Sequence, residues 1–226
     1  MSELFSIQLQ NRQQQGGDGV WLDLPTTTEQ VQAALRQIGI SSDNPQGLFI
    51  SGYFAEEEKR FAIPYNMVLA SNVDELNFLA SRLETLSTGE RAELNAALQA
   101  PQSELSSIGK ITDFPENVDY YVHLPDVHGP AQLGDYYLNR SGMVDMPEEW
   151  KGGIDTAQFG RYVAQQEQGV FTEYGYLVKS GDVWQKVHEG QPVPEEYRVL
   201  SFPCLLYTSD RCRRLVECRS RWSPYH

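Results

Sequence analysis

Hydrophobic positions in the first sixty residues follow two different periods. Apolar and polar residues alternate in "LFSIQLQ" and "GVWLDLP", and this alternation predicts two half-buried strands joined as a hairpin by a Gln- and Gly-rich turn. The helical period appears in "TTTEQVQAALRQIG", where Thr26 is the predicted N-cap, Glu29 completes a capping box and Gly39 ends the helix. With the strand-like "GLFISGYF", these elements predict an N-terminal α/β domain over residues 1–62. The apolar face of the predicted helix consists of Val31, Ala34, Leu35 and Ile38.

The next segment predicts helices only. Asn72 and Glu75 are spaced as a capping box, and the run from Ser87 to Glu90 repeats that spacing before a second helix, which Pro101 ends. We therefore predict a helical middle domain over residues 63–112. Its inward-facing residues are Leu76, Leu79, Leu83 and Leu86 in the first helix and Leu94, Ala97 and Leu98 in the second.

Strand and helix signals are mixed in the third segment, residues 113–203. Strands are predicted in "VDYYVHL", "GVFTEYGYLV" and "DVWQKVHE", with "KSG" as the turn between the last two. Helices are predicted in "AQLGDYYLNR", ending near Gly142, in a turn that begins at Pro147, and in "TAQFGRYVAQQE". The sequence thus predicts an α+β fold made of three small domains in series, which together form an elongated molecule.

The last 23 residues differ from the rest of the chain. All three cysteines, Cys204, Cys212 and Cys218, lie here, and the text "CLLYTSD" resembles the translation of a sequencing adapter. The spacing of the cysteines matches no tetrahedral zinc pattern, so a metal-binding appendage is the less favoured interpretation. We predict that residues 204–226 are a non-native tail and that a chain ending at Pro203 folds and functions.

Charge is the strongest compositional signal, because 18 Lys and Arg stand against 31 Asp and Glu, a net charge of −13. Such an excess argues against binding to nucleic acid or to an anionic membrane, and it fits a basic partner. No apolar run is long enough to span a membrane, and no signal peptide is present, so we expect a cytoplasmic protein.

Templates for catalysis are mostly missing from the sequence, and no cofactor is predicted. One candidate metal site is "HLPDVH", in which His123, Asp126 and His128 could hold a divalent ion in a hydrolase. On a strand, however, His123 and Asp126 would point to opposite faces, and Pro125 interrupts the strand between them. The adjacent acids in Glu148–Glu149, Glu195–Glu196 and Glu56–Glu58 lie in turn-like sequence, which favours an exposed surface over an acid–base pair.

The acidic residues are spread along the chain and do not form one tail. Residues 1–203 hold 29 acidic and 13 basic residues, and residues 113–138 hold five carboxylates without any Lys or Arg. Duplex DNA carries one charge per about 1.7 Å of axis, so 29 carboxylates on one side would match about 50 Å of duplex. A protein with this distribution could occupy a cationic DNA-binding groove, although acidity can also serve solubility alone.

Three long stretches resemble the ArdA antirestriction family in the same order. They are "VWLDLPTTTEQVQAALRQIG", then "IPYNMVLASNVDELNFLASRLETLSTGERAELNAALQA", then "AQLGDYYLNRSGMVDMPEEW" with the later "IDTAQFGRYVAQQEQGVFTEYGYLV". The likeness covers nearly all of residues 4–178. Departures are the Gln-rich turn at 10–19, extra residues near 100–118 and the extension over 179–203.

The resemblance implies a non-catalytic mimic of duplex DNA, encoded by mobile elements and typically a homodimer. Such a protein would occupy the DNA-binding site of a type I restriction-modification enzyme, formed by its methyltransferase core with the specificity subunit, and would block restriction, with or without a block of modification. The alternatives are a mimic that inhibits another DNA-binding defence protein and, less favoured, the metal-dependent hydrolase. The mimic surface is expected to use carboxylates in family-like segments and in the 113–138 stretch: Asp74, Glu75, Glu84, Glu90, Glu93, Asp113, Glu116, Asp119, Asp126, Asp135, Asp145, Glu148, Glu149 and Asp155.

Overall fold

A computed structural model describes residues 4–14, 17–41, 47–56, 60–101 and 103–200 of the chain. The predicted non-native tail and part of the Glu56–Glu58 run lie outside the described residues.

The first sheet contains three antiparallel strands, β1 (Phe5–Asn11), β2 (Val20–Leu24) and β3 (Leu48–Phe54), in the order β2-β1-β3. Phe5 pairs with Leu24 and Leu9 with Val20, so the predicted hairpin is confirmed. Burial alternates along β1, as expected for a strand with one face on the core.

Helix α1 (Thr28–Gln37) packs beside this sheet, and its N-terminus lies one residue later than predicted. The N-cap is Thr27, whose side chain accepts from the Gln30 N–H, so the prediction of Thr26 with Glu29 was wrong. Thr26 is buried, and its N–H donates to Asn77 Oδ1 at 2.8 Å, a long-range contact that no local pattern reveals. At the other end Gly39 has a φ of 67°, the left-handed conformation that closes a helix.

The middle of the chain is helical, as predicted. Both predicted capping boxes are present, at Asn72 with Glu75 and at Ser87 with Glu90, because each is a local hydrogen-bond pattern within four residues. Two five-residue helices were not predicted, since so short a segment shows no helical period. The four helices are α2 (Tyr65–Leu69), α3 (Val73–Glu84), α4 (Thr88–Gln99) and α5 (Ile108–Thr112).

A second antiparallel sheet forms in the third segment, with β4 (Tyr121–Leu124), β5 (Val170–Thr172) and β6 (Gly175–Lys179) in the order β4-β6-β5. The stretch "GVFTEYGYLV" is therefore a hairpin and not a single strand. The helices of this segment are α6 (Pro130–Asp135), extended by a π-helical turn over Tyr136–Arg140, α7 (Glu148–Lys151) and α8 (Thr156–Glu167).

The predicted strand "DVWQKVHE" is wrong, because residues 182–189 join neither sheet. Their backbone N–H groups donate to side chains instead. Gln185 donates to Asn117 Oδ1, and Val187, His188 and Glu189 donate to the Asp113 carboxylate. A strand pattern in the sequence does not show whether the backbone N–H groups will bond to a neighbouring strand or to side chains such as Asn117 and Asp113.

Two clusters of buried side chains form the core. The larger cluster runs from the first sheet through the middle helices to Tyr121, Leu177 and Val199, so the first two predicted domains share one core. The smaller cluster, Val127, Leu133, Ala164 and Tyr176, joins α6 and α8 to the second sheet. The α+β class is confirmed, while the division into three domains and the elongated shape stay predictions. Among the described residues, none of the helices has the length and apolarity that crossing a bilayer requires.

Candidate anionic surface

Three predicted carboxylates lie at the ends of the middle helices. Glu75 and Glu90 are partly exposed, and each closes a capping box by accepting the N–H of its N-cap residue. Hydrogen bonds from Ser87 hold the pKa of Glu90 below its ordinary value, so this carboxylate stays charged at neutral pH. Glu84, in the last turn of α3, is partly buried.

Glu93, also on α4, is partly buried and differs from the other acids of these helices in its protonation. Burial, together with the negative charges of Glu90 and Asp119, raises its pKa to about 8. One carboxyl oxygen, Oε1, is buried without a hydrogen-bond partner. At pH 7 the Glu93 carboxyl is mostly protonated and adds little negative charge to the surface.

Two predicted surface carboxylates bind backbone groups of the same chain. Asp113 is fully buried and accepts three backbone N–H groups from residues 187–189 at 2.6 to 3.2 Å. Asp74 Oδ1 accepts from the N–H groups of Val199 at 2.8 Å and Leu200 at 2.7 Å. The structure therefore places the Asp113 carboxylate inside the fold, where it cannot touch a partner.

Three further predicted carboxylates are neutralised by nearby cations. Glu116 pairs with Arg82, Asp135 with Arg140 at 3.2 Å, and Glu148 with Lys151 at 2.6 Å. Exposed ion pairs of this kind contribute little to stability, but they reduce the charge that a partner meets.

The remaining five predicted carboxylates are exposed to solvent, and we call them the open carboxylates. Asp119, Asp126, Asp145, Glu149 and Asp155 all lie in the third segment of the chain. Asp155 is also the N-cap of α8, since its side chain accepts the Gln158 N–H at 3.0 Å. The other four have no such role in the described structure.

Cations of the described chain are mostly engaged within the protein. Lys179 pairs with Glu104 at 2.9 Å, and Lys186 with Glu189 at 3.3 Å, in addition to the three pairs above. The Arg91 guanidinium donates to the Leu86 carbonyl and lies 5.7 Å from the Phe61 ring centre. Because internal groups take up these cations, the open carboxylates remain without a neutralising partner.

The candidate metal site, the less favoured interpretation of residues 123–128, does not form among the described residues. His123 Nε2 lies 2.7 Å from the Tyr174 carbonyl oxygen, which holds the ring against the hairpin, whereas Asp126 and His128 are exposed in the following turn. Within the described part of the chain, no three His, Cys, Asp or Glu side chains are grouped closely enough to hold an ion.

Sequence reasoning missed several polar residues that organise the fold. Asn77 accepts the Thr26 N–H and donates to the Tyr197 carbonyl at 3.0 Å, and Asn95 accepts the Ala62 N–H at 2.8 Å. Their only local signal is a polar residue on the apolar face of a helix. Exposed acids outside the predicted set, such as Asp18, Glu29 and Glu195, were also missed, since no pattern separates them from the chosen ones.

Together these features describe an acidic α+β protein in which six of the described Lys and Arg side chains form ion pairs and the open carboxylates form none. The sequence model of the family described as "Antirestriction protein (ArdA)" matches residues 17–178. That match spans most of the chain, so the protein belongs to the ArdA antirestriction family, and the resemblance seen in the sequence is confirmed. No curated protein matched the chain.

Proposed function

We propose that this antirestriction protein mimics duplex DNA and occupies the DNA-binding site of type I restriction-modification enzymes, acting without catalysis as a cytoplasmic homodimer. Membership of the family implies restriction-modification enzymes as partners in general. The observation that carries the finer proposal is the contrast between paired and open charges. Six of the described Lys and Arg side chains form ion pairs within the chain, whereas the open carboxylates face solvent and form none.

A groove built for DNA offers Lys and Arg to phosphates, and its binding depends on the release of bound ions. Carboxylates can replace phosphates in that role only where no internal cation competes for them. The open carboxylates meet this condition, and the 113–138 stretch contributes two of them, Asp119 and Asp126, without any Lys or Arg of its own.

The proposed homodimer is tested by sedimentation equilibrium of the full chain, which measures the mass of the particle in solution.

The first test neutralises three open carboxylates in one variant, Asp126→Asn, Asp145→Asn and Glu149→Gln. Asp119 is left intact because its charge acts on Glu93, and Asp155 because it caps α8. Affinity for a type I methyltransferase is measured between 50 and 200 mM salt. Log affinity decreases with log salt, and this decrease should become shallower by about three slope units, close to one for each charge removed.

A matched control removes one ion pair and leaves the net charge unchanged, by Glu148→Gln with Lys151→Gln. These residues lie on α7 beside Glu149, and they are 2.6 Å apart in the structure. The control should keep the salt slope of the wild-type protein. Equal slopes for the wild type and the triple variant would contradict the proposed use of the open carboxylates.

A further inference from the structure

Residues 180–200 continue past the end of the family match at residue 178 and run back over the middle helices, and we call them the strap. The strap leaves the second sheet at the end of β6, where Ser180 donates both its N–H and its hydroxyl to the Tyr120 carbonyl. The ring of Trp184 then packs edge-on against Tyr120, with 5.1 Å between ring centres.

The first anchor of the strap is a pair of buried polar side chains after α5. Asn117 bonds both backbone groups of Gln185, accepting the N–H at 2.7 Å and donating to the carbonyl at 2.9 Å. Asp113 is fully buried and accepts three more backbone N–H groups, from residues 187–189. A buried carboxylate in this position is satisfied only while the strap is in place.

The second anchor lies on α3. Phe78 contacts the rings of both His188 and Tyr197, with centres 5.0 and 4.7 Å apart, and Asn77 donates to the Tyr197 carbonyl. Beyond it, the backbone N–H of Val199 donates to Asp74, and the Val199 side chain is buried in the larger core cluster.

Asn77 also accepts the Thr26 N–H from the first segment of the chain. The strap therefore joins three parts of the molecule: the second sheet, where it begins, the middle helices, which it crosses, and the junction with the N-terminal sheet. Side chains in the body hold the strap backbone at residues 185, 187–189, 197, 199 and 200.

We propose that the strap is a positioning element, which fixes the second sheet and its helices relative to the middle helices so that their carboxylates present one pre-arranged surface. The inference rests on the proposed mimicry, because a substitute for a stiff duplex must hold its charges at fixed distances. If release of the strap left about one molecule in ten in the competent arrangement, the apparent Kd for the enzyme would rise about tenfold.

The test releases the strap and then restores it with a reversible bond. Asp113→Asn weakens the first anchor and so loosens the strap, because an amide offers one acceptor oxygen where the carboxylate offers two. Gly109→Cys with Glu189→Cys restores it, since a Cβ at position 109 would lie 3.7 Å from the Glu189 Cβ, within the range of disulfides. Every protein in this test also carries Cys204→Ser, Cys212→Ser and Cys218→Ser, so that no other thiol is present.

Binding to the methyltransferase and the radius of gyration in solution scattering are measured for each protein, oxidised and reduced. The reduced protein with Asp113→Asn, Gly109→Cys and Glu189→Cys should bind about tenfold more weakly and be larger in solution. Oxidation should return both values to those of the wild type. The Gly109→Cys, Glu189→Cys protein with Asp113 intact is the control, and its binding and size should not change between the oxidised and reduced states.

Unchanged binding and size on reduction would overturn the proposal, and so would weak binding that oxidation fails to restore. If Asp113→Asn does not fold when reduced, Val187→Pro replaces it, because it removes one donor to Asp113 from the strap alone. Its control is Val183→Pro at a strap position that is 86% exposed. Failure of the wild-type protein to bind the enzyme would contradict the proposed function, whereas the size measurement still tests the strap.

Discussion

Glu93 lies on α4 with Glu90 and Asp119 as its acidic neighbours, and its protonation links the stability of the fold to pH. Burial is the main cause of its raised pKa of about 8, and the two neighbouring charges add to it. Between the ordinary pKa of 4.5 and pH 8 the folded protein binds a proton that the unfolded chain has lost. The free energy of unfolding should therefore decrease as pH rises through this window and level off above it.

The variant Glu93→Gln tests this assignment, because its amide carries no proton to lose. At pH 8.5 it should be more stable than the wild type by about 1 kcal/mol, after allowance for solvent screening of a partly exposed group, and at pH 5 the two should be nearly equal. Urea unfolding at both pH values measures the difference. Glu149→Gln at an exposed position is the control, and a difference for Glu93→Gln that does not depend on pH would contradict the assignment.

Asp113 and Asp119 show how much of the surface could be predicted at the residue scale. Both are aspartates in the same stretch without cations, yet Asp113 is fully buried and Asp119 is exposed. The difference arises from residues 187–189, more than seventy positions away, whose N–H groups need an acceptor. The sequence predicts that this region is acidic, but it does not show which carboxylates will be buried by contacts with distant residues.

At the scale of elements, those fixed by local hydrogen bonds were predicted correctly, and those fixed by contacts with distant residues were not. The capping boxes of α3 and α4 were predicted to the residue because all their partners lie within four positions. The start of α1 was displaced by Asn77, and the predicted strand over 182–189 was displaced by Asp113 and Asn117. In both cases a buried side chain from elsewhere supplied the hydrogen bond that the local pattern assigned to a helix cap or a sheet.

Helices α6 and α8 cross with their backbones in close contact at two glycines. A Cβ on Gly160 would lie 1.8 Å from the Pro130 carbonyl oxygen, and one on Gly134 would lie 1.9 Å from that of Thr156. Both obstacles are backbone atoms, which cannot turn away as a side chain could. The glycines in "QLGDYY" and "QFGRYV" therefore set the distance between these helices and the packing of the smaller core.

We predict that Gly160→Ala destabilises the protein by about 3 kcal/mol, because the helices must separate to admit the methyl group. Gly89→Ala is the matched control, since Gly89 lies in α4 and a Cβ there would meet nothing within 4 Å. It should stabilise by about 0.5 to 1 kcal/mol through helix propensity. Chemical denaturation of the two variants checks the prediction, and a Gly160→Ala protein as stable as the wild type would exclude the close crossing.

At the scale of the whole molecule, the proposed binding surface depends on which charges are paired and not only on the excess of acid. Six Lys and Arg side chains form ion pairs in the described structure, and five of the predicted carboxylates remain open. The strap outside the family match then ties the two sheets and the middle helices together. The sequence alone gives the net charge, whereas only the structure shows which of the charges are paired and which are open.

Competition with DNA tests the central claim most directly. A type I methyltransferase is loaded with a labelled duplex that contains its recognition sequence, and the protein is added at several salt concentrations. We predict that the protein displaces the duplex completely from the enzyme, and that its affinity falls by about 500-fold between 50 and 200 mM salt, as expected for five charges. A complex that holds the protein and the duplex together, or an affinity that salt does not change, would contradict it.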